Sequence, residues 1–128
     1  MPQTAPGAAE APTILLLEDE PAVRRSLQLL LQGSGFAVRS YASGAMLLAD
    51  PRAKDAAVLV VDYRLADGNG LAVARALQEA GFAGRSILIT AFPSRELFAT
   101  AQAEGFSRIF EKPLANRVLV EAVADLVR

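Results

Sequence analysis

The chain has 128 residues, 14 acidic against 13 basic, a formal net charge of −1 and 52% hydrophobic residues, which suffices for one domain with its own core. With no cysteine there is no disulfide framework, thiolate nucleophile or cysteine metal site; with no histidine there is no serine–histidine–aspartate triad, zincin motif or phosphohistidine of the chain's own. Any bound metal must be a hard cation held by oxygen, and the near-neutral charge gives no footprint for nucleic acid or an anionic membrane.

Met1–Pro12, rich in Ala and Pro with a single charge at Glu10, reads as a flexible tail. It lacks the basic start and apolar stretch of a secretory signal, and no run is long enough to span a bilayer, so the expected location is the cytoplasm. From residue 13 to 128 one domain is predicted, alternating short apolar runs with helical periodicity in five strand–helix pairs.

The first strand is Ile14-Leu-Leu-Leu17, a continuous apolar run of the kind buried on both faces of a parallel sheet. It ends at Glu18-Asp19-Glu20-Pro21, and Pro21 suits the first turn of a helix carrying Val23, Leu27, Leu30 and Leu31 until Gly33 and Gly35. A second strand, Ala37–Tyr41, leads through Ser43 as N-cap into a short helix ending before Pro51. Val58–Val61 is the third, terminated by Asp62; the loop Tyr63 to Gly70 follows, then a helix with Val73 and Leu77. The fourth is Ile87-Leu-Ile89 with Thr90, then Ser94 capping a helix with Leu97, Phe98 and Ala101. The fifth is Arg108–Glu111, followed by Lys112-Pro113 and a helix capped by Asn116 with Leu119, Ala122, Val123 and Leu126 on one stripe. Leu27, Leu30, Leu77, Leu119 and Leu126 are expected in the core. The fold class is α/β: a doubly wound five-stranded parallel sheet in the order 2-1-3-4-5, helices on both faces.

Ligands in such sheets bind outside the carboxyl ends of the strands. Those ends carry Glu18 and Asp19, Asp62, Thr90 and Lys112: three carboxylates, a hydroxyl and an ammonium converging on one place. Crowded carboxylates stay ionised only beside a positive charge, and magnesium is the natural candidate. Magnesium among carboxylates, with lysine and threonine opposite, suits a phosphoryl group: the cations neutralise its oxygens and the hydroxyl donates to them. Asp62, ending the central strand, is the candidate nucleophile, giving an aspartyl phosphate.

Four segments, LLLEDE at 15–20, VVDYRLADGNG at 60–70, ILITA at 87–91 and EKP at 111–113, together resemble the receiver domains of two-component response regulators over residues 13 to 128. The resemblance implies a phosphorelay switch rather than a metabolic enzyme, with Asp62 the phosphoacceptor, a histidine kinase or histidine phosphotransfer protein the donor, and slow autodephosphorylation. It implies Mg²⁺ (or Mn²⁺) held by Asp19, Asp62 and the main-chain carbonyl of Arg64, with Glu18 ligating directly or through water. It further implies phosphoryl binding by Thr90 and Lys112, a cis Lys112–Pro113 peptide bond, and switching of the face made by helix four, strand five and helix five, through which a homodimer is an option.

Two departures from the family pattern bear on signalling. Ala66 stands where the loop commonly has proline, and Ile109 where an aromatic residue commonly swings inward; Phe110 should face the opposite side by strand alternation. Arg64 and bulky Phe92 flank the pocket where the family tunes hydrolysis, and Phe92 is expected to hinder the attacking water. Ile109 and Ala66 support an alternative, a phosphorylation-independent interaction module. An aspartate-based phosphatase would want a second Asp where Arg64 stands, and the anionic loop after the first strand disfavours flavin phosphate. Gly68 and Gly70 make no dinucleotide fingerprint and are read as positions of positive φ. The end at Arg128 leaves open a stand-alone receiver or part of a longer regulator with a DNA-binding output.

Overall fold

Strands with no solvent-facing side need no alternation, and this separates the three central strands from the two edges. In the computed structural model, which describes residues 11–128, β1 (Thr13–Leu17), β3 (Val58–Asp62) and β4 (Arg85–Thr90) are almost wholly buried. The edge strands β2 (Ala37–Tyr41) and β5 (Arg108–Glu111) carry Arg39, Ser40 and Arg108 and are half-buried. All pairings in the sheet are parallel and the spatial order is β2-β1-β3-β4-β5, as expected from the sequence. The predicted tail falls mainly on residues 1–10, outside the described residues; the Pro12 carbonyl accepts from the Ala37 amide at 3.0 Å.

Alternation along the strands divides the core in two. Leu15, Leu17, Leu59, Val61 and Leu88 point to one face, where α2 (Gly44–Ala49), α3 (Gly70–Glu79) and α4 (Arg95–Ala103) supply Leu47, Val73, Leu77, Leu97 and Ala101. Ile14, Leu16, Val58, Val60 and Ile87 point to the other, covered by α1 (Pro21–Gly33) and α5 (Asn116–Leu126) through Leu31, Leu119, Ala122 and Val123. Each fully buried leucine or isoleucine contributes roughly 1.5–3 kcal/mol, so both layers hold the strand ends in place. Among the described residues no helix is long and apolar enough to cross a membrane.

The predicted caps are partly realised. Ser43 Oγ accepts from Met46 N at 3.1 Å and Ser94 Oγ from Leu97 N at 3.0 Å. Asn116 is not a cap: α5 begins at Asn116 itself, and Ala115 occupies the cap position without a side-chain bond. Leu77 and Leu119 are buried, but Leu27, Leu30 and Leu126 are only half-buried because they lie at the rims of the α1 and α5 stripes, and Phe98 is exposed. The fourth strand begins two residues earlier than expected, at Arg85.

The loop after β3 contains a small antiparallel hairpin pairing Arg64–Leu65 with Gly68–Asn69, turned at Ala66 and Asp67. Of its glycines only Gly68 has a positive φ, +148°. Gly70 is needed for space instead: a Cβ there would stand 2.5 Å from the Asp62 carbonyl oxygen and 3.1 Å from Val61 Cγ2, displacing the end of β3.

Candidate functional site at the strand ends

Each strand delivers its polar residue at the point where its apolar run stops. Glu18 follows β1 and its amide bonds to Tyr41 O at 3.3 Å, so the chain stays strand-like one residue past Leu17. Asp62 ends β3, with Tyr63 N held by Ile89 O at 2.9 Å and Gly70 N by Tyr63 O at 2.7 Å. Thr90 ends β4, and its carbonyl accepts from Lys112 N at 2.8 Å, placing the lysine beside the threonine.

Four of the five predicted residues, Glu18, Asp19, Asp62 and Lys112, meet through their side chains, and Thr90 is joined to Lys112 through the backbone. Lys112 Nζ donates to Asp62 Oδ2 at 2.7 Å and to Glu18 Oε1 at 3.2 Å, joining strands separated by 50 and 94 positions in sequence. The lysine therefore lies between the acids rather than across from them. Glu18 is 2% exposed, and its second oxygen accepts from Glu20 N at 3.1 Å. Burial pushes its carboxyl above the ordinary range, against the Glu20 amide and the Lys112 charge, which pull it down. Burial alone would lower the Lys112 ammonium, but the hydrogen bond and charge of Asp62, and then Glu18, hold it above its ordinary value.

Glu18, Asp19 and Asp62 each offer a carboxylate oxygen, all within 4.8 Å of one another. Three oxygen donors, with no nitrogen or sulfur in the set, suit a hard divalent cation, and the chemistry fits magnesium. Thr90, 1% exposed, accepts from Phe92 N at 3.0 Å through Oγ1, which leaves its hydroxyl proton free to donate elsewhere. The Lys112–Pro113 peptide bond is cis.

The flanking residues form a second group. The Arg64 guanidinium carbon lies 4.0 Å from the centroid of the Phe92 ring, a cation–π contact linking the loops after β3 and β4; Phe92 is 56% exposed. Ile109 packs against the layer that contains Leu88, Leu97 and Ala101, whereas Phe110 packs against the opposite layer, which contains Ile89 and Leu119, as alternation requires.

Two supporting residues escaped the sequence reading. Arg24 on α1 donates from Nη1 to the Glu18 carbonyl at 2.9 Å, fixing the acidic turn. Asp67 accepts from Gly44 N at 3.2 Å and Ala45 N at 3.1 Å, tying the loop after β3 to α2. Arg24 had no signal beyond its place on the first turn, and Asp67 read as an ordinary turn acid. An apolar cavity of about 480 Å³ also opens between α1 and α5, lined by Val23, Leu27, Leu114 and Leu119, with Lys112 contributing to its wall.

A doubly wound sheet with acids, a threonine and a lysine gathered at its carboxyl ends is the architecture of a signal receiver. Residues 14–124 match the family model described as the response regulator receiver domain, and the chain belongs to that family. It is 32% identical over 111 residues to the transcriptional regulatory protein FixJ of Rhizobium meliloti (strain 1021), covering 87% of this chain and 54% of that protein. It is 33% identical over 114 residues to the TorCAD operon transcriptional regulatory protein TorR of Escherichia coli (strain K12), covering 89% and 49%. The chain thus spans about half the length of the curated relatives it matches. The crystal structure of FixJ-N superposes with a TM-score of 0.79 at 32% identity, covering 91% of this chain and 93% of that one. A CheY-like receiver domain protein from Methanospirillum hungatei JF-1 superposes at 0.85 with 21% identity, covering 91% and 94%, a likeness of fold.

Proposed function

We propose that this receiver is a phosphorylation-driven switch in which Asp62 accepts a phosphoryl group from the phosphohistidine of a partner kinase or phosphotransfer protein. The observation that carries this reading is the contact of Lys112 Nζ with Asp62 Oδ2 at 2.7 Å inside a cluster of three carboxylates. A carboxylate oxygen of Asp62 attacks phosphorus, the P–N bond to the donor breaks, and the imidazole nitrogen leaves with the bonding pair. Glu18, Asp19 and Asp62, with the main-chain carbonyl of Arg64, would hold Mg²⁺. When bound, the ion supplies positive charge that offsets repulsion between the acids and the incoming phosphoryl oxygens.

Lys112 neutralises negative charge that Asp62 gains, and it already stands at hydrogen-bond distance from that carboxylate. The Thr90 hydroxyl donates to a phosphoryl oxygen, and its bond from Phe92 N carries that change into the loop before α4. Hydrolysis by water returns the carboxylate and inorganic phosphate, which makes the module a timer rather than a metabolic catalyst. The output face is that of α4, β5 and α5, where a second copy can dock. FixJ and TorR are named as transcriptional regulators, which supports gene expression in the cytoplasm as the process served. Ile109 on the α4 side of β5 favours a second reading, an interaction module indifferent to phosphorylation; equal partner affinity with and without a beryllofluoride mimic would establish it.

The test is incubation with Mg²⁺ and a small acyl phosphate donor. The protein gains one phosphoryl mass that hydroxylamine removes, and gains nothing when the metal is chelated. An intact protein that never acquires a hydroxylamine-labile phosphoryl group refutes the reading.

A further inference from the structure

The first helical amides of α2 need partners outside their own helix, and each can be accounted for. Leu47 N bonds to Ser43 O at 3.2 Å, the first intrahelical bond, and Met46 N bonds to Ser43 Oγ at 3.1 Å. The two amides that remain, Gly44 and Ala45, donate to Oδ1 and Oδ2 of Asp67, 23 and 22 positions further along the chain. These bonds pull the Asp67 carboxyl below its ordinary range.

Asp67 sits at the turn of the hairpin that carries Arg64 and Leu65, directly after the phosphoacceptor strand. The base of that hairpin is already held: Gly70 N bonds to Tyr63 O at 2.7 Å, and Asn69 Oδ1 caps α3 at Ala72 N, 3.0 Å away. Its turn is closed by the Leu65–Gly68 pair alone, and Ala66 leaves the backbone freer there than a proline would. The anchor at the other end is closely packed. Gly44 is buried so close to Val73 that an added Cβ would stand 2.6 Å from Val73 Cγ2, so α2 is pressed against α3 while it holds the hairpin.

We propose that Asp67 is a positioning residue for the Asp62 site: its carboxylate clamps the loop after β3 to the first turn of α2, and the clamp raises the affinity of the Glu18–Asp19–Asp62 set for a divalent cation. This rests on the metal-binding reading given under the proposed function. The physical reason is preorganisation. A ligand set that includes a loop backbone binds in proportion to the fraction of time the loop holds its bound pose, and a loop freed at its turn holds it less often. Two bonds from backbone amides to an ionised acceptor are strong enough to set that fraction.

The experiment is Mg²⁺ titration by calorimetry on the wild type, Asp67→Ala and Asp67→Asn, with amide hydrogen exchange at Gly44 and Ala45 followed by NMR. The clamp predicts that Asp67→Ala loses protection at both amides and binds Mg²⁺ about three- to tenfold more weakly. Asp67→Asn, with one acceptor oxygen left, falls between. At saturating Mg²⁺ the rate of acyl phosphate formation in both variants returns to the wild-type value, because Asp67 acts on the pose and not on the chemistry. Wild-type Mg²⁺ affinity in Asp67→Ala overturns the proposal, and so does an Asp67→Asn affinity equal to that of Asp67→Ala, which would mean lost charge alone. Should Asp67→Ala fail to fold, Asp67→Asn decides: unchanged affinity there overturns the clamp. A wild-type protein that binds no Mg²⁺ overturns the metal reading and this proposal together, whereas wild-type binding with unaffected variants overturns this proposal alone.

Discussion

On one flank of Asp62, Glu18 and Lys112 are drawn into the fold and bonded to one another, to Asp62 and to backbone; on the other, Arg64 and Phe92 lie over each other in solvent. The first flank is built on β1 and the end of β5, whose positions the sheet dictates. The second is built on the loops after β3 and β4. A charge held in a buried, low-dielectric position acts more strongly on a reacting group than one free to move in water. The buried flank is therefore suited to the chemistry of phosphoryl transfer, and the exposed flank to adjusting how long its product lasts.

The comparison can be broken at Lys112 first. Lys112→Met keeps the length of the stem and removes the ammonium bonded to Asp62, so acyl phosphate formation from a small donor should slow by about a hundredfold at saturating Mg²⁺. A rate within twofold of wild type would place the chemistry elsewhere. Substitution on the exposed flank is expected to do less. Phe92→Ala removes the ring and its contact with Arg64, and should shorten the phosphorylated lifetime about two- to fivefold, the worth of an exposed cation–π contact. Decay of the phosphoprotein followed by intact mass measures it; an unchanged lifetime would show that Phe92 does not hinder water.

The smallest change is at a side chain whose hydrogen bond lies outside both flanks, although its backbone carbonyl accepts from the Glu18 amide. Tyr41 donates to Asp50 Oδ2 at 2.7 Å, and burial, with that bond, pushes its phenol up to about 12 from an ordinary value of 10.0. The folded state keeps the proton that the unfolded chain loses, so stability is full below pH 10 and falls as pH rises toward 12. In Tyr41→Phe that alkaline slope should flatten in urea titrations at pH 9 and 11, while acyl phosphate formation at pH 7 stays at the wild-type rate. An altered rate would mean that the Tyr41–Asp50 bond does act on the site.

Much of this could be read from the chain itself. Apolar runs without alternation at Ile14–Leu17 and Val58–Val61 mark strands buried on both faces, and polar residues where each run stops mark the carboxyl edge. Two-fold alternation likewise separates Ile109 from Phe110. Contacts set by geometry rather than pattern were not legible. Glu18 and Lys112 are 94 residues apart, and their bond depends on side-chain reach past the two strands between β1 and β5. The Asp67 clamp depends on where α2 packs, and the turn acid that makes it is indistinguishable by type from one that merely shapes a turn. Asn116 failed as a cap for a related reason: the helix engaged one residue early, and a cap signal fixes a boundary only to within such a step.

The central claim is that Asp62 is the residue that carries the phosphoryl group. Borohydride reduces an aspartyl phosphate to homoserine and leaves free carboxylates intact, so reduction after incubation with Mg²⁺ and an acyl phosphate donor, followed by peptide mass spectrometry, reports the position directly. Homoserine at position 62, absent from Asp62→Asn, is the predicted result; homoserine at Asp19 or Asp67, or at no position in a protein that has gained phosphoryl mass, would contradict it.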